Sequence, residues 1–198
     1  KEKIETKEVK EIRNHKVPSP IKNQFESDCQ STKETTKDFK TDLEKRDKMI
    51  QFISENNPKI LEDFEIGDYI ASGSVGTFYN GKYKKRNMQK IGIKFFLNDS
   101  EKQKKNRHKN EEIAFLRKLK YKYIIGLFGH LKINDYNTCA ILEFAKYGDL
   151  EHFQNKILKK RFLPETLICY FAKQILEALQ YTHNSKILHA DIKQSNIL

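Results

Sequence analysis

No stretch of the 198 residues approaches the roughly 18 consecutive apolar residues that a bilayer-spanning helix needs. The N-terminus, Lys1-Glu2-Lys3-Ile4, is charged and carries no signal-peptide apolar region. Cysteine is scarce: Cys29, Cys139 and Cys169 are odd in number, far apart, and form no Cys-x-x-Cys pair. They support neither a disulfide framework nor a zinc site, so the expected setting is reducing, in the cytoplasm or nucleus. Apolar content is low, at 37% against 33% charged, which leaves part of the chain without a core to pack into.

Charge is abundant and uneven. The net +11 comes almost wholly from beyond residue 58, where 25 Lys/Arg face 15 Asp/Glu. The excess gathers on residues 82–122, including Lys82, Lys84, Lys85, Arg86, Lys102, Lys104, Lys105, Arg107 and Lys109. Such a face attracts an acidic partner through its summed field. It is equally what a solvated helix face and hairpin tip look like in a lysine-rich chain. Nucleic acid is not the expected partner.

Residues 1–58 are rich in Lys, Glu, Thr, Ser and Asn, are broken by Pro18 and Pro20, and show no repeat. They read as a disordered or linker extension. Within them Phe39, Leu43, Ile50 and Ile53 suggest a short amphipathic helix, with Asn56-Asn57-Pro58 as its stop and a domain boundary. From Phe64 the pattern changes to half-buried strands at 64–70, 77–83, 88–97, 124–131 and 138–144. A helix, capped by Asp99 or Ser100, interrupts them and ends near Leu119. A short helix over 149–156 and a long one over 164–184 follow. The long one is apolar on most faces, so it requires burial in something larger.

Four stretches carry chemistry. Ile70-Ala71-Ser72-Gly73-Ser74-Val75-Gly76-Thr77-Phe78 is a glycine-containing turn between strands. Gly73 and Gly76 let backbone N–H groups approach an anion with no Cβ in the way. In Ile91-Gly92-Ile93-Lys94 a lysine stands inside a β-branched strand. An unpaired ammonium there is costly, so an anion is required. Glu112 shares a helix face with Leu116 and Leu119 and points inward, whereas Glu111 falls toward solvent. Ile141 to Leu150 is a strand that ends at Gly148-Asp149, a plausible helix start. Finally, His189-Ala190-Asp191-Ile192-Lys193-Gln194-Ser195-Asn196 sets a carboxylate, an ammonium and a carboxamide within eight residues. These groups suit, in turn, proton acceptance, charge neutralisation and ligation of a hard cation. His183 and His189 lack a third ligand and read as structural, and Cys169 reads as core.

In this order the stretches resemble the glycine-rich loop, the third-strand Val-Ala-Ile-Lys, the lobe-joining segment and the catalytic loop of protein kinases. The resemblance covers residues 64–198. It implies an α+β two-lobed fold: a complete small lobe over 59–144 and the first part of a helical large lobe over 145–198. It implies a Ser/Thr protein kinase using ATP and Mg2+, with a protein substrate. Asp191 and Lys193 would be catalytic and Asn196 a metal ligand. Ile70, Ala71, Gly73, Gly76, Phe78, Gly92, Lys94, Glu112, Glu143, Ala145 and Asp149 would line the nucleotide site, with Leu142 as gatekeeper.

Several positions depart from the pattern. Ala71 replaces a glycine. Phe78 and Gly92 exchange a large and a small roof residue, which keeps the volume roughly constant. Ala190 replaces the arginine beside the catalytic aspartate, so the resemblance predicts less dependence on activation-loop phosphorylation. The sequence given stops before an Asp-Phe-Gly segment. These 198 residues alone are therefore expected to be inactive and prone to aggregate. A pseudokinase or truncated regulatory binding module without catalysis is the alternative reading.

Overall fold

The computed structural model describes residues 36–73, 76–97, 103–159 and 162–198, without the side chains of 36–39, 103–110 and Ile157. Helix α1 (Thr36–Asn56) and the short α2 (Lys59–Asp63) lead into strand β1 (Phe64–Ser72). β2 (Thr77–Tyr83) and β3 (Gln89–Phe96) follow, then α3 (Gln103–Lys118), β4 (Leu127–Lys132) and β5 (Thr138–Glu143). The last part holds α4 (Leu150–His152), which runs on as a wider turn to Ile157, and α5 (Glu165–Asn184). A single 3-10 turn, Gln194–Asn196, lies near the end.

The five strands form one antiparallel sheet in the order β1-β2-β3-β5-β4. Three of the junctions between neighbours are hairpins or near-hairpins, and only β3 to β5 is crossed, by α3 and β4. The β2–β3 turn is closed by Asn87 and Met88, both left-handed at φ 50 and 55; asparagine tolerates that region better than most residues. This is an α+β arrangement, as the resemblance implies.

Strand alternation sends side chains to two faces, and each face has its own cover. On one, Tyr79, Ile91, Ile93, Phe95, Cys139 and Ile141 meet Met49, Ile53 and Ile60 from α1 and α2. On the other, Phe96, Ala140 and Leu142 meet Ile113 of α3, with Phe78, Leu116, Ile125 and Leu127 packed around them.

The first cover differs from the linker expected over residues 1–58. Ile53 is wholly buried and Met49 is 6% exposed, so α1 is part of the domain core. Tyr79 donates its hydroxyl proton to the Lys45 carbonyl at 3.2 Å. Asn57 donates to the Lys132 carbonyl at 2.8 Å, and Asn134 to the Asn56 side chain at 2.9 Å. The physical reason is that a sheet with β-branched and aromatic residues on both faces needs two covers, and α1 supplies the second. The expected stop at Asn56-Asn57-Pro58 is where α1 ends. Residues 1–35 and the expected caps Asp99 and Ser100 lie outside the described residues.

Strand β4 begins three residues later than expected. Residues 119–126 form a loop, turned by an Ile124 N–H to Tyr121 carbonyl bond of 3.0 Å. α5 is partly buried, but Ile168 and Leu176 are 50% and 65% exposed. No helix among the described residues is long and apolar enough to cross a membrane.

Candidate active site

Lys94 sits in β3, which is central in the sheet, and is 9% exposed. Its ammonium donates to both carboxylate oxygens of Glu112, at 2.6 and 2.8 Å. Phe78 and Phe96 flank it, each ring centre 5.0 Å from Nζ. Two aromatic faces and one carboxylate thus offset the cost of taking the ammonium out of water. Glu112 is the glutamate that meets Lys94, as its helix face implies; Glu111, expected to fall toward solvent, is half-buried and has a partner of its own.

Cross-strand pairing arranges the neighbours. Phe78 lies opposite Lys94, and Gly92 opposite Asn80 and Leu142. Phe78, Gly92, Lys94 and Leu142 therefore share the α3 face of the sheet. A Cβ on Gly92 would stand 3.3 Å from the Glu143 carbonyl and 3.7 Å from Leu142 Cβ. A Cβ on Gly76 would come within 2.6 Å of the Phe95 carbonyl and 3.2 Å of Lys94 Cε. Glycine at 76 is what lets β2 begin this close to the lysine. Its partner Gly73 closes the turn, donating its N–H to the Gly76 carbonyl at 2.8 Å. Ile70 and Ala71 are exposed at the rim of the same turn; Ser74 and Val75 lie outside the described residues.

At the end of β5 the backbone of Glu143 donates to the Gly126 carbonyl at 2.8 Å, and its carboxylate accepts the Gly126 N–H at 3.3 Å. The Ala145 carbonyl accepts from Gly148, whose φ of +74 suits glycine. Asp149 caps α4: its carboxylate accepts the His152 N–H at 2.7 Å. One oxygen of the residue expected at a ribose is thus committed to the helix start.

The C-terminal segment gathers the expected trio. Asp191 and Lys193 form an ion pair at 2.9 Å. Asn196 donates its amide to the Asp191 carbonyl at 2.8 Å and to its carboxylate at 3.0 Å. Lys193, then Asn196, hold the Asp191 carboxyl below its ordinary value. Ala190 is left-handed at φ 61, and the Asp191 N–H reaches back to His189 Nδ1 at 3.3 Å. Two ties fix the segment on the rest of the chain: Leu150 N–H to the Ile197 carbonyl at 2.7 Å, and Gln194 to Gln154 at 3.1 Å.

One arrangement escaped the sequence reading. The loop after α3 is fastened to α5. The Tyr121 and Tyr181 rings stack at 4.7 Å, Lys122 pairs with Glu177 at 3.0 Å, and Lys118 donates to the Ser185 carbonyl at 3.1 Å. Lys122, with Tyr121, keeps the Glu177 carboxyl below its ordinary value. The helix carrying Glu112 is thus joined to the helix that leads into Asp191. The tyrosines stand sixty residues apart, and nothing local marks them as partners.

Among the described residues no group of three or more His, Cys, Asp or Glu could hold a metal, and His183 is exposed. The Cys139 thiol is pushed up to about 12 by burial, which makes it inert. Cys169, expected in the core, is exposed, because it lies on the outer face of α5.

A protein kinase domain profile matches residues 64–198, more than half of the chain. The chain belongs to the protein kinase family. Its relatives include the serine/threonine-protein kinase TIO of Arabidopsis thaliana, 32% identical over 138 residues, which covers 70% of this chain and 10% of that protein. The serine/threonine-protein kinase ULK3 of Rattus norvegicus is 32% identical over the same length, covering 70% of this chain and 28% of the relative. An Aurora kinase of Debaryomyces hansenii is 29% identical over 201 residues, covering 99% of this chain and 46% of its own length. The chain spans less than a third of the length of the first two. Members of the family generally use ATP and Mg2+.

Proposed function

We propose that this chain is the nucleotide-handling part of a Ser/Thr protein kinase, which passes the γ-phosphate of ATP to a Ser or Thr hydroxyl of a protein. The observation that carries the reading is the Asp191 carboxylate, held by both Lys193 and Asn196. A carboxylate kept ionised in this way orients an acceptor hydroxyl and takes its proton. Lys193 brings positive charge beside the same point, where it steadies charge on the transferred group. Lys94, aligned by Glu112, holds the α and β phosphates, and Gly73 and Gly76 let backbone amides cover them. Phe78 and Gly92 roof the base, beside Ile70 and Ala71 at the rim. Glu143 and Ala145 meet the base edge through their backbones, and the free oxygen of Asp149 lies toward the ribose.

The carboxamide of Asn196 offers an oxygen ligand, the kind a hard cation such as Mg2+ prefers. The ion, when bound, neutralises phosphate charge. In this reading residues up to 144 serve as the small lobe and those from 145 open the large one, with α1 added to the former. A reducing compartment is consistent with the free thiols of Cys139 and Cys169 among the described residues.

The test is binding of a fluorescent ATP analogue to the chain, with and without Mg2+, followed by phosphate transfer to Ser/Thr peptides by a longer protein containing it. Lys94→Met is expected to abolish both. Asp191→Asn is expected to keep binding and lose transfer. Transfer that survives Asp191→Asn would refute the assignment.

A further inference from the structure

The Lys94 ammonium carries three protons, and the two Glu112 oxygens take two of them. On the function proposed above, a nucleotide phosphate must take the third. Its way in is nearly shut, since the Lys94 side chain is 11% exposed. Glu112 stands on one side, and the Phe78 and Phe96 rings stand on two others, each centre 5.0 Å from Nζ.

These three neighbours differ in what they can give up. Phe96 is 1% exposed and belongs to the core beneath α3, so it is fixed. Glu112 is held through both oxygens and is the anion that the buried ammonium needs. Phe78 is half-buried and packs against the same core from its margin with solvent. It sits on β2 directly opposite Lys94. Phe78 is therefore the neighbour that can move.

The same face offers its ring a second place. Gly92 is diagonal to Phe78 across the β2–β3 ladder, within reach of an aromatic side chain. Where a Cβ on Gly92 would stand, only the Glu143 carbonyl and Leu142 Cβ come within 4 Å. No atom of Phe78 is that close, so the ring lies toward Lys94 and away from Gly92. We propose that Phe78 gates the nucleotide site: the ring over Lys94 closes it, and the ring turned toward Gly92 frees the third proton for phosphate and roofs the base. The gate rests on the proposed function for the identity of the anion. Nucleotide entry then exchanges a ring contact on the ammonium for a charge-assisted hydrogen bond, which is the stronger of the two. The share of time spent open scales the apparent affinity.

The test has two readouts on the 198-residue chain, each comparing Phe78→Val with wild type. The first is acetylation of Lys94 by dilute acetic anhydride without nucleotide, read by mass spectrometry against exposed Lys120 in the same digest. Phe78→Val is expected to raise labelling of Lys94 about three- to tenfold, the scale of one cation–ring contact. Where valine disturbs folding by circular dichroism, Phe78→Leu keeps bulk without a ring face and is expected to raise labelling in the same direction. The second readout is the association rate of the fluorescent ATP analogue with Mg2+, expected to rise by a similar factor in Phe78→Val. Unchanged labelling of Lys94, or a rise matched at the buried Cys139 thiol, would overturn the gate. So would an association rate that stays level or falls. Raised labelling with no binding of the analogue to either chain would instead overturn the nucleotide-site reading, and the gate with it.

Discussion

The Lys94 ammonium spans both carboxylate oxygens of Glu112, at 2.6 and 2.8 Å, and links the centre of the sheet to α3. The pair is unequal: the Lys94 side chain is 11% exposed and that of Glu112 is 32%. Removing either partner therefore has different consequences. Glu112→Ala leaves a buried ammonium without its anion and is expected to destabilise the chain by about 1–3 kcal/mol. Lys94→Met leaves a carboxylate that water reaches, and is expected to stay within about 1 kcal/mol of wild type. Urea midpoints on the two variants decide this. Nucleotide binding is expected to be lost in Lys94→Met despite its intact fold.

Glycine at 76 and at 92 serves different ends. Gly76→Ala drives a methyl against the Phe95 carbonyl, a backbone atom that cannot swing away. It is expected to lower both stability and nucleotide affinity. Gly92→Ala meets nothing closer than 3.3 Å, so it is expected to fold normally and weaken binding of an adenine nucleotide by crowding beside Phe78. Calorimetric titration with thermal melts on both variants separates the two effects. Full affinity in Gly92→Ala would show that Phe78 and Gly92 do not compensate each other.

The pH dependence of transfer follows from Asp191. Its carboxyl is held below the ordinary 3.8, first by Lys193 and then by Asn196, so the proton-accepting form persists throughout the neutral range. A depressed pKa means that activity governed by this group falls only as pH drops through the lowered value. Lys193→Met removes the main cause, raises the Asp191 pKa and moves the acid limb of kcat/KM upward. A limb that stays in place in Lys193→Met would assign it to another group.

Ile53 tests whether α1 belongs to the domain. It is fully buried between α1 and the sheet, so Ile53→Ala is expected to cost about 2–5 kcal/mol. An exposed neighbour such as Ser54→Ala is expected to cost little. The measurement is the shift in denaturation midpoint, followed by a probe on the sheet such as Tyr79 fluorescence. A sheet signal unmoved by Ile53→Ala would mean that α1 is an independent appendage.

Local pattern made much of this legible in advance. The strands announce themselves because Ile91, Ile93 and Phe95 alternate with residues of the other face. Helical periodicity sets Glu112 with Leu116 and Leu119, which marks it as the inward glutamate. The cover provided by α1 was not legible: Leu43, Ile50 and Ile53 are a sparse stripe in a charged segment. Their burial depends on a sheet face formed from residues up to ninety positions later. Asp149 shows the converse. Its residue type fits both a ribose contact and a helix cap, and the cap shows only in the position of His152. The Tyr121–Tyr181 stack is a purely tertiary fact, with no trace in either neighbourhood.

The order of strand pairing bears on how the chain is made. Every ladder of the sheet, and both of its helical covers, lie between residues 36 and 143. A ribosome that has delivered Glu143 has already delivered everything this lobe needs to close. The remaining ties, from Lys118, Tyr121 and Lys122 to α5, then meet a preformed surface as the next forty residues emerge. Domains that finish early in synthesis fold as units and shorten the time that their strand edges stay open to other chains. The whole sheet and both of its covers thus precede α5 in the order of synthesis.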